Sequence, residues 1–301
     1  MKPIFCVIAT SQRPGLLKRT LLSIASCRKP ENFGGVIVVE NGPKSETEKI
    51  IFEQEKKTKI FYFYRQEANK SKAFNYIIDR FNECFFYFLD DDVRLSQDAI
   101  NAMSEAALRF QGRCFFGGPL GVDYEQIPPD WLKKCLPTSA RGWKIETADV
   151  MQYNYPRFLG ANWMVSSGDL LRIGGFCAEM GPNKISTGEE TLAQWRLICD
   201  GVTGYYVPLA RVWHYVPRSC CSIKWGFIRA YRTGFEYVIA KKNITKWRKN
   251  IFSTCTIILY SVIRLPVAFW QEGRSGALKC LYAVASYIGT SCAFFVRKPK
   301  L

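Results

Sequence analysis

The chain has 301 residues, 48% of them hydrophobic, enough apolar material for the core of one large α/β domain plus an appendage and too much for a disordered protein. Its net charge of +16 raises nucleic-acid binding as a first reading. The distribution of that charge excludes it: residues 217–301 carry fifteen Lys and Arg against Glu236 and Glu272, a net of +13, and the first 216 residues hold only +3, so the body lacks the basic face that a phosphate backbone requires.

The chain opens Met1-Lys2-Pro3 and enters an apolar run at 4–9 that is too short for a secretory signal, so the body of the chain is expected in the cytosol. Strand-like runs rich in branched and aromatic residues follow at 35–40, 60–64 and 84–89. Between them, Leu16, Leu17, Leu21, Leu22 and Ile24 share one helix face, and Ala73, Phe74, Ile77, Ile78 and Phe81 another. This alternation predicts a parallel, doubly wound sheet, in which ligands bind beyond the carboxyl ends of the strands. The segments just after the four strands are all polar: Thr10 to Arg13, Glu40-Asn41-Gly42, Arg65 to Asn69, and Asp90-Asp91-Asp92. Residues 93–109 read as a helix, and 116–216 as a shorter α+β half laid against the first. A linker is expected at Val216-Pro217-Arg218-Ser219, where the composition shifts. The twelve cysteines are scattered through apolar runs with no Cys-x-x-Cys pair, which predicts reduced, buried thiols and no zinc site.

The strongest single signal is Phe85-Phe86-Tyr87-Phe88-Leu89 running directly into Asp90-Asp91-Asp92. Three carboxylates at the end of a buried strand are costly unless a cation accompanies them. Asp90 and Asp92, two residues apart on an extended backbone, point the same way and reach a divalent ion together. Such an ion bridges diphosphate oxygens and neutralises a leaving group. The competing interpretation is a solvated helix N-terminus, where acids are also favoured.

The order of motifs resembles the family 2 glycosyltransferases of the GT-A fold, over about residues 3–216. The residues that carry the resemblance are Thr10 with Arg13-Pro14-Gly15-Leu16-Leu17; Val38-Val39-Glu40-Asn41-Gly42, with Glu40 in place of the family's aspartate; Arg65, Asn69, Ser71, Ala73 and Asn75; the Asp-x-Asp element at Asp90 and Asp92; 158–165 and 170–176 with Gly174-Gly175; Gly188-Glu189-Glu190, again with a glutamate for the second acid; and Gly201, Pro208 and His214. The resemblance implies an α/β fold of Rossmann-like character, a mixed and mostly parallel sheet flanked by helices. It divides residues 1–216 into a nucleotide-sugar-binding half, 1–115, and an acceptor-binding half, 116–216. It implies that Thr10, Arg13, Glu40, Asn69, Lys72, Asn75, Asp90 and Asp91 bind a UDP- or GDP-sugar, and that Asp92, Asp90 and His214 hold Mn²⁺ or Mg²⁺. Transfer with inversion needs a base for the acceptor hydroxyl; Glu190 is nominated, with Glu189 beside it. Either glutamate taken alone reads as the charged first turn of a helix at 191–199, and His214, the single histidine, as a structural residue. Trp131, Trp143, Tyr153, Tyr155 and Trp163 are candidates for sugar stacking, more than half of them expected in packing roles.

The extension at 217–301 holds uncharged runs at 251–263 and 280–296, both short of the roughly 20 residues a spanning helix needs. Basic groups flank them at Lys241, Lys242, Lys246, Arg248 and Lys249, and at Arg297, Lys298 and Lys300. An in-plane hairpin on an anionic membrane surface fits best, because Arg264 and Pro266 suit a mid-membrane position poorly. Packing on the body or homo-oligomerisation is the alternative. The expected function is therefore an inverting, metal-dependent transferase of the bacterial polysaccharide or glycolipid type, acting on a glycan or lipid-linked acceptor, peripheral or monotopic on the inner face of the cell membrane. A sugar nucleotidylyltransferase would carry a glycine-rich basic loop after the first strand, whereas residues 9–15 hold one Gly and one Arg. A non-enzymatic basic membrane or nucleic-acid-binding protein would be basic on its body, and a processive synthase would show more spans and a Gln-x-x-Arg-Trp motif.

Overall fold

Runs of residues that are apolar on both faces become adjacent strands in a computed structural model of the chain, which describes residues 2–181, 188–240 and 247–293, and the side chains of these except at 237–240 and 247–255. In chain order the elements are β1 (Ile4–Thr10), α1 (Pro14–Ser26), β2 (Phe33–Asn41), α2 (Thr47–Gln54), β3 (Ile60–Arg65), α3 (Lys70–Ile78), β4 (Phe85–Asp90), β5 (Val93–Leu95) and α4 (Ala99–Arg109). They continue as β6 (Cys114–Gly117), β7 (Leu120–Tyr124), α5 (Asp130–Lys133), α6 (Thr138–Arg141), β8 (Met151–Gln152), β9 (Trp163–Ser166), α7 (Ser167–Arg172), α8 (Glu189–Cys199), β10 (Thr203–Tyr206), β11 (Val212–Val216), α9 (Ile223–Ala240), α10 (Trp247–Glu272) and α11 (Arg274–Ala293).

The chain divides into two compact units, one of residues 1–121, 142–181 and 189–215, the other of 122–141, 182–188 and 216–301. The first is an eight-stranded mixed sheet of order β3-β2-β1-β4-β9-β6-β10-β8. β1 is parallel to β2 and β4, whereas β9 runs antiparallel between β4 and β6. All seven residues of β1 are buried, as a strand covered on both faces requires. Alternate residues serve opposite sides. Ile4, Cys6 and Ile8 pack with Leu17, Leu21 and Met103 from α1 and α4. Phe5, Val7 and Ala9 pack with Phe74, Ile77 and Leu197 from α3 and α8. This is the mixed, mostly parallel, helix-flanked sheet that the motif order implied.

The helix expected over 93–109 is corrected at its start. Val93 and Leu95 are buried around an exposed Arg94, a period of two that makes β5 an antiparallel partner of β11, with His214 opposite Val93; the helix begins only at Ala99. The thiols also need correction. Cys6, Cys27, Cys84, Cys114, Cys135 and Cys177 are free and buried, but Cys199 is exposed and Cys220, Cys221, Cys280 and Cys292 are half-buried.

Asn162 fixes where β11 begins. Its Nδ2 donates to the carbonyls of Pro119 (2.9 Å) and Ala210 (2.8 Å), while its Oδ1 accepts from the Tyr87 hydroxyl at 2.7 Å. Gly118 is the close approach that permits this, since a Cβ there would collide with the Ala210 carbonyl oxygen.

In the second unit Leu132, Cys135 and Leu136 pack with Leu278 and Tyr282. α11 packs against both α9 and α10, and Gly234, Gly276 and Gly289 stand where neighbouring backbone leaves no space for a Cβ. Among the described residues no helix is long and apolar enough to cross a membrane. Lys241, Lys242, Lys246, Arg297, Lys298 and Lys300, expected at lipid headgroups, lie outside the described residues.

Gly118→Ala is expected to destabilise the protein by about 3 kcal/mol, read as a lower urea midpoint at unchanged slope. An unchanged midpoint would mean that the Ala210 carbonyl yields freely.

Candidate active site

β4 lies in register with β1, Asp90 opposite Ala9, so the acid cluster leaves the sheet at its carboxyl edge. The turn that follows is held from two sides. Thr20 Oγ1 lies 2.9 Å from the carbonyl oxygens of both Asp91 and Val93 and accepts from Val93 N at 3.0 Å, and Tyr215 N donates to the Asp92 carbonyl at 2.8 Å. Pairing of β11 with β5 then sets His214 beside this turn.

The three carboxylates take different partners. Asp91, with no solvent exposure, accepts from Thr10 Oγ1 at 2.6 Å and Arg13 Nε at 3.1 Å, and Arg13 Nη2 closes a second contact. Arg13 Nη1 also donates to Asp92 Oδ2 at 2.8 Å. Asp90 Oδ1 pairs with Lys70 Nζ at 2.8 Å. Burial drives the Asp91 carboxyl up to about 6, with Arg13 pulling against it and Asp92 adding to it. Burial also raises Asp92, opposed by His214 and reinforced by Asp90. For Asp90 burial is outweighed by Lys70 and His214, which hold it below the ordinary carboxylate range. Burial alone would lower the Arg13 guanidinium, but the three aspartates raise it.

Asp90, Asp92 and His214 each offer one ligand atom, all within 4.8 Å of one another. His214 Nε2 is 3.3 Å from Asp92 Oδ1, yet that oxygen is buried and accepts no hydrogen bond, so the contact lacks hydrogen-bond direction. A buried carboxylate oxygen without a donor is expensive. Two carboxylates and an imidazole form a donor set that suits a hard or borderline divalent cation. The residues therefore fit the metal that the acid cluster predicted.

Lys70 stands among these acids although the motifs do not mark it. Burial disfavours its charge, but Asp90, Glu189 and Glu190 together raise its ammonium well above the usual value, and Nζ also pairs with the buried Glu189 at 3.3 Å. The signal for it is helical phase: Lys70 shares a face with the buried Ala73, Phe74 and Ile77, whereas Lys72 is exposed and pairs with Glu67 at 2.8 Å. Glu190 is half-buried beside Gly160, where a Cβ would approach its carboxyl carbon to 3.3 Å.

Other nominated residues lie in the frame around this cluster. Glu40 is fully buried, with Oε1 accepting from Ser45 N (2.9 Å) and Oγ (2.6 Å) and Oε2 from the Tyr62 hydroxyl (2.6 Å). Asn69 caps α3 by accepting from Lys72 N and donates to the Ala178 carbonyl. Asn75 exchanges two 2.8 Å bonds with the backbone of Phe176. Trp163 is buried and stacked on Phe88, and Trp143 and Tyr153 pack with Phe158; Tyr155 is exposed, and Trp131 packs in the second unit.

The model of the family described as Glycosyl transferase family 2 matches residues 5–173. The chain belongs to this family: it is a glycosyltransferase of the GT-A fold. It is similar to the succinoglycan biosynthesis protein ExoM of Rhizobium meliloti (strain 1021), 28% identical over 239 residues that cover 75% of this chain and 71% of that protein. Among solved structures it resembles the mannosyltransferase PcManGT of Pyrobaculum calidifontis, in complex with GDP-Man and Mn²⁺, with a TM-score of 0.64 at 14% identity over 96% of this chain and 87% of that one. It also resembles GalNAc-T7 with UDP, GalNAc and Mn²⁺, with a TM-score of 0.56 at 13% identity over 71% of this chain and 43% of that one.

Burial alone would raise the Glu40 carboxyl, but its bonds from Ser45, Tyr62 and Thr47 bring it below the ordinary range. The stabilisation from a lowered carboxyl is complete above the ordinary value and is lost as pH falls through the lowered one. Glu40→Gln should therefore cost about 2 kcal/mol at neutral pH, and its urea midpoint should converge on that of the wild type in acid.

Proposed function

We propose that this glycosyltransferase moves a hexose from a nucleoside diphosphate sugar, such as a UDP- or GDP-sugar, to a glycan or lipid-linked acceptor with inversion, working at the inner face of the cell membrane. Residues 1–216 are the catalytic domain in this reading and 217–301 the membrane-facing extension. The observation that carries it is the buried Asp92 Oδ1, which accepts no hydrogen bond, within the cluster of Asp90, Asp92 and His214. Those three residues would hold Mn²⁺ or Mg²⁺, which supplies positive charge for the departing diphosphate. The relatives support this reading, because two of the similar structures contain Mn²⁺ with a nucleotide or nucleotide sugar, and ExoM belongs to polysaccharide biosynthesis by its name.

Inversion requires one proton acceptor on the acceptor side. Glu190, half-buried beside Gly160 and next to the Glu189 that pairs with Lys70, is the base in this reading. Glu190 takes the hydroxyl proton as the acceptor oxygen bonds to the anomeric carbon, and the sugar–phosphate bond breaks with its electron pair leaving on the nucleoside diphosphate. Lys70 holds Asp90 and Glu189 in place and keeps the local charge balanced. Thr10 and Arg13 position Asp91 and Asp92 against donor and cation, and Glu40, Asn69 and Asn75 brace the nucleotide side, while Lys72 lies on the exposed face of α3 with Glu67.

Screening nucleotide sugars with and without Mn²⁺ tests the reading directly. Asp92→Ala should lower Mn²⁺-dependent donor binding by about a hundredfold in calorimetry; unchanged binding would reject the metal assignment. Glu190→Gln should bind donor normally and lose about 10²–10⁴ in kcat, and full transfer would reject it as the base. Lys70→Met should lower the thermal midpoint more in the metal-free protein than with saturating Mn²⁺, because a bound cation restores charge that the ammonium supplied.

A further inference from the structure

Exposed apolar side chains crowd onto one face of α10. Leu259, Val262, Ile263, Val267, Phe269 and Trp270 are each at least half exposed, Trp270 at 86%. On a helical projection they cover roughly half the circumference. The opposite face holds the buried Ser261 and Ala268, and the Ala268 backbone lies against Gly276 of α11. Arg264 is exposed at the margin of the apolar face, with its guanidinium over the Tyr260 ring. Surface patches of this kind on a soluble protein mark an interaction site.

Charge chooses the occupant. The extension has a net charge of +13 in sequence, with Arg248 and Lys249 before the apolar face and Arg274 after it. A second copy of this chain would bring the same positive charge, whereas anionic lipid headgroups complement it. Aromatic and apolar residues with a basic margin are the composition of helices that lie in a bilayer interface. At 26 residues α10 is about 39 Å long, yet it is too polar to span, and Pro266 leaves the Val262 carbonyl without its helical donor, which is tolerable at the water-accessible interface and costly in the hydrocarbon.

We infer that the face of α10 from Leu259 to Trp270 is a monotopic membrane-binding surface that lies in the plane of an anionic bilayer. The inference rests on the reading that the acceptor is met at a membrane and specifies the surface that meets it. The test is sedimentation of the full chain with phosphatidylcholine vesicles, with and without phosphatidylglycerol, in the absence of donor and acceptor. The wild type should bind, more tightly with phosphatidylglycerol. The triple variant Ile263→Ser, Val267→Ser, Trp270→Ser should lose about a hundredfold in partitioning, while a control with Phe52→Ser and Leu108→Ser, exposed on α2 and α4, should bind as the wild type does. Vesicle binding retained by the triple variant overturns the surface but leaves the membrane reading standing. Absence of binding by the wild type overturns both, and a wild-type dimer that the triple variant converts to monomer assigns the face to a second copy instead. Should the triple variant fail to fold, Trp270→Phe serves: brominated lipids should quench wild-type fluorescence more than that of Trp270→Phe, and equal quenching overturns the inference.

Discussion

Three carboxylates at the end of a buried strand constrain much of the first unit. Their mutual repulsion and desolvation would be prohibitive in an apolar sheet edge without compensation. Arg13 at the start of α1 pairs with Asp91 and Asp92, Lys70 at the start of α3 with Asp90, and His214 on β11 faces Asp92. The helix starts and the final strand therefore converge on the acids. The Thr20 and Tyr215 bonds hold the backbone of the turn, so side-chain positions follow from rigid elements rather than from a free loop.

Chemistry and architecture meet at Asn162. A single amide joins β4, the bend after β6 and the approach to β11, and that approach carries His214 to Asp92. The metal-fitting cluster thus depends on hydrogen bonds made beyond it. Asn69 and Asn75 act similarly, fixing α3 to the backbone of Ala178 and Phe176, so α3 presents Lys70 at a defined height.

Much of this was legible in the sequence, for identifiable reasons. The four N-terminal strands and the helices α1 and α3 declared themselves through apolar runs and helical spacing, because a doubly covered sheet leaves no polar face to confuse the pattern. The strand-then-acid signal located the cluster. β5 was illegible, since three residues are too few to establish a period of two against a helix that follows closely. Lys70 was overlooked because Lys72 shares its motif, and only helical phase separates the inward ammonium from the outward one. The oxygens of Glu40 accept from Ser45 and Tyr62, a tertiary pairing that residue spacing does not encode.

The ammonium of Lys70 and the guanidinium of Arg13 have a consequence for the fold. They are permanent counterions, built into the chain, so the cluster is partly neutralised before any divalent ion arrives. Folding would then not require the ion, unlike a structural zinc centre, where metal loss and unfolding are one event. A cleft wired in this way would keep its scaffold whether or not Asp90, Asp92 and His214 hold an ion.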